Sequence, residues 1–206
     1  SIPLSLMGSY GHYYQYSKTK TVSLPIVNSQ SEKFKDIKKV LQQSMVPYLF
    51  SKQLDALISE GDKKTRDKNP GVRDYVFEGM TQRLKSVMQA MIWEQNGLMD
   101  KFAQIYAQNM THDQIKRLLR FYENPLWKKM NSGESLSNDE KNALNEIYQN
   151  TFDENITSCT QKIISETETA SKEWLKYALP RGKSEMNEYL KKFRYALDGY
   201  TLTRIE

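Results

Sequence analysis

Between Gly97 and Met130 the chain reads GLMDKFAQIYAQNMTHDQIKRLLRFYENPLWKKM, a pattern that two short amphipathic helices meeting at a polar turn satisfy. Thr111 followed three residues later by Gln114 is a capping box, in which the hydroxyl and the amide each satisfy a backbone N–H that a helix start leaves without a partner. The spacing therefore predicts a helix from about His112. Its apolar residues Ile115, Leu118, Leu119 and Tyr122 fall at i, i+3, i+4 and i+7, a stripe about 100° wide that faces a core, with Lys116, Arg117 and Arg120 on the wet side. Upstream, Leu98, Phe102, Ile105 and Tyr106 form a matching stripe, so 97–109 reads as the partner helix. Pro125 cannot donate inside a helix but suits a first turn, so Glu123 and Asn124 are a break and 126–130 a new short helix.

These residues also carry a family likeness. Ile105, Tyr106 and Ala107, then Thr111 opening a capped helix, then Phe121, Tyr122, Pro125 and Lys129 in the order F-Y-x-x-P-x-x-x-K resemble the bacterial domain of unknown function family 2059. The likeness is close over 102–130 and looser over 31–179. That family usually has Ser or Thr before the proline and Gly two residues after it, where this chain has Asn124 and Trp127. The resemblance implies an all-helical domain of bacterial proteins made with an export signal, hence a periplasmic or secreted location, and no agreed activity.

The flanking sequence is also helical in period. Ser31 suits a cap for the stripe Phe34, Ile37, Val40, Leu41 and Met45. Pro47 should kink or restart that helix, and Tyr48, Leu49, Leu54, Leu57 and Ile58 continue it to Gly61, a natural terminator, after which GDKKTRDKNPG reads as a loop. From Val72, the residues Tyr75, Val76, Met80, Leu84, Val87, Met88 and Met91 predict a helix of about twenty residues. Gly79 within it costs up to ~1 kcal/mol against Ala, which predicts close packing on another helix. Met80, Met88, Met91, Met99 and Met110 read as core filler, the alternative being an adaptable binding groove.

Ser137 and Glu140 form a second capping box, opening a run from Asp139 to Leu179 with no Pro or Gly. At about 1.5 Å per residue that run is roughly 60 Å long, so it either kinks near Thr157 and Ser158 or projects and meets another copy of the chain. Pro180, Arg181 and Gly182 should end it, and Ser184 should cap a last helix with Met186, Tyr189, Leu190, Phe193 and Leu197 inward. The first thirty residues hold Tyr10, Tyr13, Tyr14 and Tyr16 with little helical period, and read as an extended arm, either poorly ordered or docked on the core. The expected fold class is all-α: an irregular multi-helix bundle with one long helix in its C-terminal half and an extended N-terminal arm. The arm is 1–30, the helical domain 31–179, and a C-terminal helix and tail 180–206.

Mean hydropathy of −0.73 and 27% charged residues suit a chain at home in water, and no apolar run approaches the roughly 20 residues of a membrane-spanning helix. The net charge of +5 is spread through KFKDIKK, DKKTRDK and LKKFR among acids and core residues, so no nucleic-acid partner is expected. The chain opens at Ser1 rather than Met, as a processed chain would, or one trimmed at a chosen boundary. The lone Cys159 has no internal disulfide partner and reads as a small buried hydrophobe.

No H-E-x-x-H, C-x-x-C, G-x-x-x-x-G-K-[ST] or G-x-S-x-G pattern occurs, and no cofactor or metal is expected. His12 and His112 stand far apart without an acid at metal spacing. A cell-wall hydrolase would need one acid in an apolar cleft, and Glu94, between Trp93 and Gln95, is the candidate. The other candidate surface is the aromatic turn, where Tyr122, Trp127, Lys128 and Lys129 form a contact patch if Trp127 is exposed beside its lysines. Packing of Phe121, Tyr122 and Trp127 into the core is the alternative. The expected function is that of a non-catalytic, exported helical protein acting through an unidentified protein partner. One form is an inhibitor or immunity protein against a toxin or cell-wall hydrolase, displaying an exposed aromatic and an acidic or polar ridge. The alternative is a cell-wall-acting enzyme with Glu94 as its acid.

Overall fold

The computed structural model describes residues 31–206, so the expected N-terminal arm lies outside the described residues. Ser31 accepts a hydrogen bond from Phe34 N and opens α1 (Glu32–Gln43). The chain turns at Ser44 and Met45 and restarts with Pro47 in the first turn of α2 (Val46–Lys68). Then follow α3 (Asp74–Trp93), α4 (Leu98–Asn109), α5 (His112–Glu123), α6 (Pro125–Asn131), α7 (Asn138–Thr151) and α8 (Glu154–Leu190). A short 3-10 turn leads into an antiparallel hairpin, β1 (Tyr195–Asp198) and β2 (Thr201–Arg204), with Tyr195 opposite Arg204 and Asp198 opposite Thr201. The expected all-α class and its long helix are thus observed, and among the described residues the hairpin is the whole of the sheet structure.

Both capping boxes form, at Thr111 with Gln114 and at Ser137 with Glu140. Asn124 caps α6, its side chain accepting from Leu126 N. The core is centred on α4, where Leu98, Met99, Phe102, Ala103, Ile105, Tyr106 and Ala107 are all buried. That helix lies between α1 and α8, with α3 against it as well. Each large apolar side chain taken from water there contributes about 1.5–3 kcal/mol. Ile115, Leu118 and Tyr122 of α5 join this core, as do Met88, Met91, Met99 and Met110, while Met80 sits in a smaller cluster under the hairpin. The five methionines are therefore core.

Three elements differ from expectation, each because tertiary burial outweighs local propensity. First, α2 does not stop at Gly61 but runs on to Lys68. Asp62 holds that extension in place, accepting from Arg66 Nε and from the Thr81 hydroxyl of α3, each at 2.9 Å. Asn69 ends the helix, its amide donating to Tyr200 O and accepting from Leu202 N, each at 2.8 Å, so that its side chain binds the hairpin.

Second, the long run breaks at Phe152 and Asp153 rather than at Thr157 and Ser158, and Asp153 caps α8 through Ile156 N. The buried face of α8 then runs through Ile156, Ile163, Thr167, Ser171, Trp174, Ala178, Gly182 and Leu190. Cys159 is half-buried rather than buried, its thiol donating to Asn155 O. Third, Pro180 does not end α8. Both Pro180 and Lys176, whose carbonyl loses the helical N–H, lie on the exposed face, where water can satisfy that carbonyl. The expected separate last helix is the end of α8, and Leu197 belongs to β1 instead.

Close contact between α3 and α8 keeps the second half of α8 in place. A Cβ at Gly79 of α3 would stand 1.8 Å from the Tyr189 hydroxyl oxygen and 2.3 Å from its Cζ. A Cβ at Gly182 of α8 would stand 2.5 Å from Leu84 Cδ1. Each helix thus presents a glycine notch to a side chain of the other. Gly79→Ala should lower stability by about 1–2 kcal/mol, overpacking exceeding the gain in helix propensity. With Tyr189→Ala also present, the same substitution should become neutral or stabilising, a non-additivity measurable by urea titration of the four-member cycle.

Candidate functional site

The aromatic turn is a packed knot. Phe121, Tyr122 and Trp127 are each no more than 2% exposed. The Phe121 ring meets Tyr122 and Trp127 at 5.3 Å, Phe152 at 5.2 Å and Tyr148 at 6.0 Å between centroids. Burial, reinforced by the nearby Tyr106 and Tyr148, raises the Tyr122 phenol well above its usual range, so it keeps its proton. Of the two readings of this turn, packing of all three rings into the core is the one observed: an indole has room inside because α6 turns back over α5 at Pro125. Lys129 reaches Glu140 at 3.1 Å and joins α6 to the capping box of α7, while Lys128 is exposed. The void beside Tyr106, Leu118, Tyr122 and Phe152 measures about 20 Å³, the size of one water.

Glu94, at the end of α3, is tied across to α8. Arg181 Nη1 donates to its two carboxylate oxygens at 2.9 and 3.0 Å. That hydrogen bond and the charge behind it push the guanidinium further above its usual range. The carboxylate thus sits in a surface ion pair rather than an apolar cleft, which corrects the setting expected for a general acid. His112 has an acid beside it after all, its Nε2 lying 2.7 Å from Asp36 Oδ2 of α1.

The cleft with free charge lies elsewhere, between α4 and α8. On α4 the buried positions leave Lys101, Gln104 and Gln108 as an outward stripe. On α8 the facing stripe is Glu166, Ala170, Glu173 and Tyr177, at i, i+4, i+7 and i+11. The two helices run antiparallel, because Asn109 near the end of α4 donates to Glu166, while Glu94 just before α4 meets Arg181. Between them is a cavity of about 200 Å³ lined by Lys101, Gln104, Ile105, Glu166, Thr169, Ala170 and Glu173. Ala170 leaves the gap, since a larger side chain there would fill it. Glu166 is 10% exposed. Its Oε2 accepts from Asn109 Nδ2 at 3.0 Å, and its Oε1 lies 3.9 Å from Lys162, beyond hydrogen-bond range. Lys101 and Glu173 have no ion-pair partner among the described residues.

Residues 96–140 match the family model for an uncharacterized protein conserved in bacteria, DUF2059. The match takes in α4, α5, α6 and the start of α7, less than a quarter of the chain, and it agrees with the likeness read from Ile105 to Lys129. No curated protein and no solved structure matches the chain. The residues that carry the likeness are scaffold: Ile105, Tyr106, Ala107, Phe121 and Tyr122 are buried, Thr111 caps α5, Pro125 starts α6 and Lys129 pairs with Glu140. The cleft residues Lys101, Gln104, Glu166, Thr169, Ala170 and Glu173 escaped sequence reasoning. The signal was present as a polar stripe at 101, 104 and 108 on an otherwise apolar helix.

Trp127→Ala should cost about 3–5 kcal/mol, seen as a lower urea midpoint, because it empties the centre of the aromatic knot. Two carboxylates at helix starts set the acid limit. Glu140 is held below the usual range by Ser137 N–H and then by Lys129, and Asp153 by Ile156 N–H and then by Arg117. A depressed carboxylate binds fewer protons folded than unfolded, so its contribution is intact above the usual carboxylate range and lost as pH falls through the folded value. Glu140→Gln with Asp153→Asn should be less stable than the parent at pH 7 and should show a shallower further loss on acidification, read by thermal melts from pH 7 to pH 3.

Proposed function

We propose that the chain is a non-catalytic helical protein that acts outside the cytoplasm by holding a protein partner. The observation that carries this reading is the α4–α8 cleft, a cavity of about 200 Å³ whose lining includes Lys101 of the central helix and Glu173 of α8, neither of them in an ion pair among the described residues. Elsewhere, cross-helix charges are clasped, as in Arg117 with Asp153, Lys129 with Glu140, Lys38 with Asp100 and Arg181 with Glu94. Unclasped charge in a recess is free to meet a partner's charge. The extracytoplasmic location is part of the proposal and follows what the likeness read from Ile105 to Lys129 implies.

The inhibitor form of this reading has its own support. Tyr177 is 60% exposed on the same stripe as Glu166 and Glu173, so α8 displays an acidic ridge with an aromatic at its end. Trp174 on the same helix is 1% exposed and packs on Phe50. A Tyr on such a ridge offers large contact area at small entropy cost.

A photo-crosslinking residue placed at position 170 in the native host should capture a discrete partner, and one at Lys63 on the exposed face of α2 should not. Tyr177→Ala and Glu173→Ala should each weaken the isolated complex about tenfold without moving the melting temperature. Equal labelling from both positions, or none from position 170, overturns the reading. Fractionation of the full-length natural product should place it outside the cytoplasmic fraction.

A further inference from the structure

A second recess, sharing no lining residue with the α4–α8 cleft, opens between α5 and α7, and from its chemistry we infer a site for a carboxylate borne on an apolar group. Arg117, Arg120, Phe121 and Asn124 supply one wall and Ile147 and Asn150 the other, around a volume of about 320 Å³. That size falls within the roughly 300–1,000 Å³ of small-molecule sites. Positions 117, 120, 121 and 124 fall at i, i+3, i+4 and i+7, so one side of the α5 helix and its cap brings the first four together. Two guanidinium groups therefore share one recess, and among the described residues no acidic side chain lines it.

Arg117 is aimed by its surroundings. Its Nη2 donates to Asn150 O at 2.9 Å, Thr151 O at 3.2 Å and Asp153 Oδ2 at 2.9 Å, while Nε and Nη1 make no hydrogen bond among the described residues. One side of the group is thus fixed and the rest is left to donate. Arg120, one turn on, has no ion-pair partner among the described residues and keeps its whole planar fork. Asn124 engages its Oδ1 with Leu126 N, which leaves Nδ2 as a further donor. The backbone carbonyls of Asn150 and Thr151, at the negative end of α7, are already covered by Arg117, and Asp153 is held by Arg117 and by Ile156 N.

Charge sets the class of ligand. Two guanidinium groups against the single Asp153 carboxylate leave one positive charge, which a monoanion balances and a phosphate ester, at nearly two negative charges, overshoots. A carboxylate is also the planar anion that an arginine fork meets with two parallel bonds. Phe121 and Ile147 add apolar lining, so the carbon skeleton beside the carboxylate is aliphatic rather than polar. A free organic acid and the carboxylate at a peptide's C-terminus share this chemistry. The site stands or falls independently of the α4–α8 partner surface.

The test is an NMR titration of the isotope-labelled full chain, at constant ionic strength, with isovalerate, its neutral amide isovaleramide, inorganic phosphate, and acetyl-Gly-Gly-Leu with a free or an amidated C-terminus. Isovalerate should give saturable shifts at the amides of 120–124 and 147–151. Isovaleramide and the amidated peptide should not, and phosphate should bind more weakly than isovalerate. Arg120→Gln should weaken isovalerate about tenfold with an unchanged melting temperature, because Arg120 holds no partner in the fold. Arg120→Lys should keep only part of the affinity, since a point charge lacks the fork. Tighter binding of the free-ended peptide than of isovalerate makes a chain end the source, and the reverse makes it a free organic acid; either result supports the assignment. Equal response to isovaleramide, preference for phosphate, or full isovalerate binding by Arg120→Gln overturns it.

Discussion

The near-complete burial of α4 is the constraint on which the other helices depend. A twelve-residue helix with seven buried positions has to be covered from several sides, and α1, α3 and α8 do so. Such a helix is short for independent stability in water, where nucleation is costly and isolated helices below about 12–15 residues are marginal. It forms because its neighbours bury it, and they are held in turn by what it gives them. Phe102 and Ile105 are buried in the core, whereas Lys101 lies on the exposed side of the same helix. The cleft and the core are therefore two faces of one helix.

The long helix α8 shows how burial overrules local preference. A proline inside a helix costs about 3 kcal/mol, and Gly182 adds about 1 more. Against this stand Ala178, Gly182 and Leu190, all buried, and the reciprocal notches that let Tyr189 and Leu84 seat between α3 and α8. Leu84 and Tyr189 are half-buried and contribute part of the roughly 1.5–3 kcal/mol of a fully buried side chain, and with the fully buried Leu190 they offset both penalties. Gly182 is thus read wrongly as a terminator by its conformational freedom alone. In this context its lack of a side chain is what allows the helices to approach.

Legibility followed the same division. The capping boxes at Thr111 and Ser137, the Pro125 restart and the α5 stripe were readable because each rests on residues no more than seven positions apart. The aromatic turn was only half readable: sequence placed Phe121, Tyr122 and Trp127 together, but the rings that enclose them, Tyr148 and Phe152, arrive from α7 and the turn after it. The extension of α2 past Gly61 depends on Thr81 and on Tyr200, 19 and 131 residues from their respective partners, and no local rule encodes that. The hairpin was readable and missed. Gly199-Tyr200 between YALD and TLTR is a two-residue turn flanked by strand formers, and Gly199 adopts φ +61° there. The cleft required the register between α4 and α8, fixed by Asn109 on Glu166 and Arg181 on Glu94, which only the folded chain supplies.

The placement of charge gives the cleft its meaning. Surface ion pairs such as Arg181 with Glu94 contribute little to stability, about 0–1 kcal/mol each in high dielectric, so their value lies in fixing helix register. Arg181 and Asn109 together pin α4 and α8 at both ends of the cleft, which keeps the span between them from closing. Lys101 and Glu173 then face one another across a gap that neither bridges. A pair left open in this way keeps its desolvation cost unspent until a third group enters. Neither Lys101 nor Glu173 holds the bundle together through an ion pair among the described residues, and the two walls of the recess are held by Asn109 on Glu166 and by Arg181 on Glu94.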